Sequence, residues 1–262
     1  MRHEKEVCDS HHVRILEAPG RPRLGAVVQA ASIRRETTLI AKTKMIANSL
    51  KTEIENYAAR LLRSSRLFRQ AQQGAVTPRI VGTYLFNLRY LFRNNVTHLQ
   101  LACKESEARG WPALAEYYAT KALEEQGHDA WADSDLTTVK RQHDVMLPSA
   151  PSPAMADLLD YLQNVISTEP QRYVAYTLLA EYLTVLAGPA WMQALDQQCG
   201  IPPSSLTAIG RHIELDREHV SEGFSQIDEL IAPRELPGLT ETLLCSMRYF
   251  ERFFDEISAV DN

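Results

Sequence analysis

Apolar residues recur at helical spacing along most of the chain from about residue 37 onward. The first predicted helix covers residues 37–64, where apolar positions follow one another mainly at spacings of three, four and seven. The second begins at Thr77-Pro78, which has the form of an N-cap followed by proline in the first turn, and it stops at Gly110. Sustained strand-like alternation and a repeat of fixed period are both absent from the sequence. The pattern therefore predicts an all-α protein.

Five further helices complete the predicted fold. They cover about residues 111–135, 154–167, 171–199, 204–231 and 239–260. Gly188-Pro189 is predicted to interrupt or bend the helix that contains it. The segment 137–153 ends in three closely spaced prolines and is the clearest loop, so we predict a hinge or lid there. Seven helices with mostly short connections predict antiparallel neighbours that enclose a central site.

The N-terminal part of the chain lacks this periodicity. We predict that residues 1–36 form a mobile or irregular segment and that residues 37–262 form the helical domain. His11 and His12 could bind a metal ion, but two solvated loop histidines explain them better.

Charge and hydropathy exclude several classes of partner. The net charge is -5, from 28 basic and 33 acidic residues, and the chain carries no long basic run, so we expect neither nucleic acid nor anionic membrane as a partner. Its apolar runs stay below the ~18 residues needed to cross a bilayer, and the polar N-terminus lacks the apolar core of a signal peptide. The four cysteines have neither metal-binding nor redox spacing. We therefore expect a cytoplasmic protein with reduced thiols.

The sixth predicted helix carries the strongest candidate chemistry. His212, Asp216 and His219 lie at spacings of four and three, which places them within roughly a 60° arc of one helical face. Two imidazoles and one carboxylate pointing the same way are suited to binding a metal ion. The alternative is a solvated polar face shared with Glu214 and Arg217.

Two earlier positions add three more candidate ligands. Glu125 and His128 lie three residues apart and are predicted to share a face of the third helix. Glu181 is the only charged residue between Arg172 and Asp196, which predicts a buried carboxylate. A buried carboxylate needs a metal, a hydrogen-bond network or a cation, and an Arg or Tyr from another helix is the alternative partner. Together the three helices predict a dinuclear metal site.

The ligand types bear on the identity of the metal. The candidate set contains no cysteine, which favours iron or manganese over a structural zinc site. Imidazole and carboxylate ligands could also hold a catalytic zinc ion. Three carboxylates against two divalent ions leave a net charge of about +1. Such a site can accept an anionic substrate group or reduced dioxygen.

The six candidate ligands match a known pattern in type and order. The pattern is Glu125-x-x-His128, then Glu181 about fifty residues on, then His212-x-x-x-Asp216-x-x-His219. It resembles the haem-oxygenase-like dimetal oxidases over about residues 37–260. The resemblance implies a seven-helix bundle in which two Fe(II) ions, or manganese, activate dioxygen. It also implies N-oxygenation, desaturation or oxidative carbon-carbon cleavage of an amino acid or fatty acid. The resemblance leaves open whether the protein takes electrons from a separate donor and whether it forms a homodimer.

The first ligand departs from the commoner form of this pattern. Many members of the family place the first glutamate seven residues before the histidine, where this chain has Lys121. Others place it three residues before, where Glu125 stands. Glu125 is therefore the preferred ligand and Glu124 the alternative.

Other functions remain compatible with a helical bundle. A true haem oxygenase would, by resemblance, need a proximal histidine in the first helix, and residues 37–64 contain none. A thiaminase-like enzyme shares the bundle without needing all six ligands. The non-enzymatic alternative is a metal-free helical binding protein whose polar clusters are solvated.

Overall fold

The protein is helical throughout the part described by its structure, a computed structural model that describes residues 45–261. Within this range lie nine α-helices: α1 (Met45–Ser64), α2 (Arg66–Gln72), α3 (Pro78–Ala108), α4 (Pro112–Glu124), α5 (His128–His143), α6 (Pro153–Thr168), α7 (Tyr173–Cys199), α8 (Thr207–Leu230) and α9 (Leu236–Ser258). Short 3-10 turns precede α7, α8 and α9, and residues 45–261 contain no strand. The predicted all-α class is confirmed. The predicted boundary at residues 36 and 37, with His11 and His12, lies outside the described residues.

Local capping explains why two of the long helices begin where they do. The Thr77 side chain accepts a hydrogen bond from the backbone N–H of Ile80 at 3.2 Å, and Ser152 does the same for Met155 at 3.3 Å. Each cap is followed by a proline in the first turn, where a missing N–H costs no helical hydrogen bond. Gly110 has a φ of 73° just beyond the end of α3. The predicted start and stop of this helix are confirmed.

The predicted third helix is two helices. Helix α4 ends at Glu124 and α5 begins at His128, because Gly127 between them has a φ of 87° that a right-handed helix does not allow. The prediction that Glu125 and His128 share one helical face is therefore wrong. The turn brings them together instead, with His128 Nδ1 3.6 Å from Glu125 Oε2.

The loop after α5 is shorter than predicted. Helix α5 continues to His143, because Leu136 and Val139 pack in the core and hold this polar stretch in the helix. The irregular segment is therefore 144–152. None of its residues borders the apolar cavity described below, whereas Gly188 does. The structure thus places the predicted lid away from the cavity.

Helix α7 is the central element and runs without interruption through Pro189. It contacts α1, α2, α8 and α9, and tertiary packing on several sides compensates for the backbone hydrogen bond that proline removes. Two glycines let α8 approach it closely. A Cβ at Gly188 would lie 2.8 Å from Ile213, and a Cβ at Gly223 would lie 2.7 Å from Leu178. This close seam sets Glu181 of α7 beside the ligand-bearing face of α8.

Within residues 45–261, no helix is both long enough and apolar enough to cross a bilayer.

His98, on α3, is a core residue. Its ring is 3% exposed and packs edge-on against Tyr173, and burial lowers its pKa to about 4, with a smaller opposing effect from Asp160. Because the unfolded chain takes up a proton near pH 6.5 and the folded chain near pH 4, the stability of the protein falls as pH decreases between these values.

We expect His98→Phe to remove about 2 kcal/mol of the pH dependence between pH 7 and pH 4.5, the part of the linkage that falls between the two pKa values. Urea unfolding of the metal-free protein at pH 7 and pH 4.5 measures it. His143→Gln, at an exposed position, is the control and should leave the dependence unchanged. An unchanged dependence in His98→Phe would show that His98 titrates normally in the folded protein.

Candidate metal centre

Three of the predicted ligands form a compact group, which we call the first ligand group: Glu125, His128 and His212. One ligand atom from each lies within 4.8 Å of the others. Glu125 follows the last residue of α4, His128 opens α5, and His212 lies on α8. The Gly127 turn between α4 and α5 therefore contributes directly to the geometry of this group.

Neighbouring groups fix the orientation of both imidazoles. His212 Nδ1 lies 2.7 Å from the carbonyl oxygen of Ala208, and donation to that carbonyl leaves the Nε2 lone pair free. The His212 ring stacks on Phe92 with a centroid distance of 4.5 Å, and the His128 ring stacks on Trp131 at 4.1 Å. Such support holds ligand atoms in place before any ion binds.

We call the other three predicted ligands, Glu181, Asp216 and His219, the second ligand group, although among the described residues only the first group has its ligand atoms within 4.8 Å of one another. His219 Nδ1 lies 3.7 Å from Asp216 Oδ1, and His219 Nε2 lies 3.6 Å from Glu124 Oε2. Glu181 is paired with a cation, since its Oε1 lies 3.0 Å from Lys121 Nζ. The predicted alternative partner of Glu181 was an Arg or Tyr, and the structure shows a lysine.

Several buried atoms of these groups have no hydrogen-bond partner in the described structure. They are His128 Nδ1, Glu181 Oε2, His212 Nε2 and His219 Nδ1. An unsatisfied buried polar atom costs roughly 1–3 kcal/mol, so four in one region require an explanation. The donor set is imidazole and carboxylate, and metal ions bound at the two groups would satisfy these atoms. The first ligand group therefore fits one ion.

Electrostatics in the site reflect burial and mutual proximity. Burial raises the pKa of Glu181 to about 7, with Lys121 opposing and Asp216 reinforcing the shift. Burial likewise raises the pKa of Asp216, although His219 opposes it. Glu125 behaves differently, because the imidazoles of His128 and His212 outweigh burial and lower its pKa. Because burial disfavours the ionised form of Glu181 and Asp216, a nearby positive charge would stabilise these carboxylates.

Lys121 is the positive charge that the described structure supplies there. Burial lowers the pKa of this ammonium, but the charges of Glu181 and Glu124 outweigh burial, and the pKa is raised. Its Nζ lies 3.0 Å from Glu124 Oε2 as well as from Glu181. The ammonium therefore stays charged at neutral pH.

An apolar cavity ends at both ligand groups. Its empty volume is about 960 Å³, part of it open to solvent, and Glu125, Glu181, His212 and Asp216 border it. Most of its wall is aliphatic or aromatic, with contributions from Leu88, Phe92, Leu183, Ala187, Phe250 and Phe253. The site can accordingly hold an apolar molecule next to the candidate ligands.

Comparison with known proteins identifies the fold. No protein-family model and no curated protein matches the sequence. A solved domain of unknown function from Shewanella denitrificans, described as having a haem oxygenase-like fold, matches with a TM-score of 0.71 and 19% identity, covering 80% of this chain and 90% of that one. This chain has the haem-oxygenase-like fold.

Two further solved structures share the haem-oxygenase-like fold of this chain. A CADD-like protein of unknown function from Nostoc punctiforme matches with a TM-score of 0.61 and 14% identity, over 82% of this chain and 97% of that chain. A TenA homologue from Pseudomonas syringae pv. tomato matches with a TM-score of 0.61 and 14% identity, over 82% and 93%. Such identities show the fold and nothing finer about activity.

The haem-oxygenase-like bundle was predicted with seven helices, and the structure describes nine for two reasons. Gly127 divides the predicted third helix into α4 and α5, and the short helix α2 lies between residues 64 and 77, where no helix was predicted. Sequence reasoning also missed the ion pair of Lys121 with Glu181, although the place of Lys121 at the common first-glutamate position was a usable signal. The assignment of the six residues as metal ligands stays a prediction.

Proposed function

We propose that this protein is a non-haem di-iron oxidase that uses dioxygen to oxidise a small molecule with an apolar chain. The observation that carries the proposal is the first ligand group, because Glu125 and His212 border an apolar cavity and the buried His212 Nε2 has no hydrogen-bond partner in the described structure. Two histidines and one carboxylate are the donor set typical of non-haem iron(II) oxygenases. Manganese is the alternative metal.

The chain's own residues would perform distinct tasks in this reaction. Glu125, His128 and His212 would hold the first ion, and Glu181, Asp216 and His219 the second. Bound iron would supply the activation of dioxygen. The aromatic ring of Phe92 would shield the first ion from water while also stacking on His212.

The cavity wall favours a fatty acid over an amino acid as the substrate. An apolar chain would replace water along the aliphatic and aromatic wall, which is favourable at roughly 25 cal/mol per Å² of buried apolar surface. A carboxylate head group could then approach the ion, and the chain atoms next to it would lie near the oxidant. The polar side chain of many amino acids would lack a hydrogen-bond partner in most of this cavity.

Oxygen uptake by the iron-loaded full chain tests the substrate class. We expect fatty acids of graded length to stimulate uptake more than amino acids do. Filling the cavity with Ala187→Phe should lower fatty-acid-dependent uptake by at least about tenfold while iron content stays the same. Ala119→Phe on the exposed face of α4 is the matched control and should retain full uptake.

Two results would count against this proposal. Stimulation by amino acids alone would reject an apolar-chain substrate. Failure to bind iron after anaerobic loading would favour the competing functions, a thiaminase-like enzyme or a metal-free binding protein, because neither needs a bound ion.

A further inference from the structure

The Lys121 ammonium lies between Glu181 of the second ligand group and the neighbouring carboxylate of Glu124. The residue is 5% exposed, and its Nζ lies 3.0 Å from one oxygen of Glu124 and 3.0 Å from one oxygen of Glu181. A lysine ammonium is a compact point charge with donors that can face several carboxylates at once. It thus occupies the kind of position that a small metal cation would take between these two carboxylates.

The charge balance around Lys121 shows why a cation belongs there. Glu124, Glu181 and Asp216 carry three carboxylates in a largely buried region, and Lys121 offers one full positive charge against them. Buried like charges repel strongly unless cations separate them. One ammonium balances part of this charge, and a second divalent ion would have to share or replace it.

A groove on the other side of the ammonium leads to solvent. This acidic groove is lined by Lys121 and Glu124 together with the exposed carboxylates of Glu116, Glu222 and Glu229. The apolar cavity borders Glu181 instead, so the Lys121–Glu181 ion pair lies between the groove and the cavity. A flexible lysine side chain could turn from the buried carboxylates toward those of the groove without leaving an acidic environment.

We propose that the Lys121 ammonium occupies the place of the second metal ion, so that the two cations are alternative partners of Glu181. The first ligand group then holds one ion tightly, because Lys121 contacts none of its members. A second ion enters only when Lys121 withdraws toward the acidic groove. This inference rests on the proposed metal-binding function and assigns Lys121 a role in positioning the metal ions.

Metal binding by the full chain tests this role without any measurement of activity. Mn(II) is titrated anaerobically into the wild type and into Lys121→Met, which keeps an unbranched side chain and removes the charge. Equilibrium dialysis gives the affinities, and the Mn(II) electron paramagnetic resonance signal distinguishes single from paired ions. We expect one tight and one weak ion in the wild type, and a second ion bound at least about tenfold more tightly in Lys121→Met.

Three controls separate the charge effect from a loss of folding. Lys121→Arg keeps the positive charge and should bind metal as the wild type does. Lys104→Met removes an exposed lysine from α3 and should change nothing. Lys121→Gln repeats the loss of charge with a polar side chain, and circular dichroism confirms that each variant is helical.

The outcomes distinguish this inference from the proposed function. Two ions of equal affinity in the wild type, or a second affinity that is the same in the wild type, Lys121→Met and Lys121→Gln, would overturn the role of Lys121 alone. Absence of any bound ion in all variants would overturn the proposed function and this role together.

Discussion

Replacing His212 with alanine should weaken binding of the first metal ion by more than about 100-fold and abolish oxygen uptake. The change removes one of the three ligand atoms that lie within 4.8 Å of one another and leaves Glu125 and His128 to hold the ion alone. Helical circular dichroism should stay nearly intact, because His212 also borders the cavity rather than only the packed core. Metal analysis after anaerobic loading and an oxygen electrode measure the two effects.

Two comparisons make this prediction specific. His98→Ala also removes a buried imidazole, so it controls for the loss of packing and should leave metal content unchanged. His219→Ala alters the second ligand group and should weaken only the second ion. If His212→Ala retains a full complement of iron and normal oxygen uptake, the first ligand group does not bind the metal.

The loss of Asp135 should destabilise the folded protein by about 2–3 kcal/mol. This α5 carboxylate is 2% exposed and accepts a hydrogen bond from the Thr207 hydroxyl at 2.6 Å and from the backbone N–H of Ala208 at 2.8 Å. It thereby caps the N-terminus of α8 from another helix, where a negative charge also interacts favourably with the helix dipole. In Asp135→Ala both donors lose their acceptor.

The same change should also weaken metal binding. The carbonyl oxygen of Ala208 accepts a hydrogen bond from His212 Nδ1 and so fixes the orientation of the imidazole. If the first turn of α8 loosens, the His212 ring is no longer held in the orientation that metal binding needs. Urea unfolding and Mn(II) titration measure the two effects. Asp133→Ala, two residues away, removes surface ion pairs with Arg89 and Arg93 and should cost less than about 1 kcal/mol. Equal stabilities of the two variants would show that the Asp135 cap contributes little.

Tertiary contacts of this kind were beyond the reach of the sequence. Asp135 and Ala208 lie on different helices, and nothing in either local pattern indicates that they meet. Lys121 and Glu181 are likewise far apart in the chain, and only the tertiary fold brings these two side chains of α4 and α7 to within 3.0 Å of each other. Contacts between distant residues depend on how helices pack, which short-range periodicity does not encode.

The sequence by itself determined the features that depend on a few neighbouring residues. Helical spacing of apolar residues predicted the all-α class, and the cap at Thr77 predicted the start of α3, because both signals act within a turn or two. The sequence also predicted a buried carboxylate at Glu181, since its helical neighbours are apolar.

Only the tertiary structure decided which of these side chains meet. Local reasoning placed Glu125 and His128 on one helix, whereas the left-handed Gly127 ends α4 and the turn brings the two residues together with His212. It also treated the six ligands as one set, whereas among the described residues the fold brings only Glu125, His128 and His212 to within 4.8 Å of one another and places Lys121 beside Glu181. The physical reason is that a metal site is defined by distances of a few ångströms between separate helices, and the packing of the whole core sets those distances.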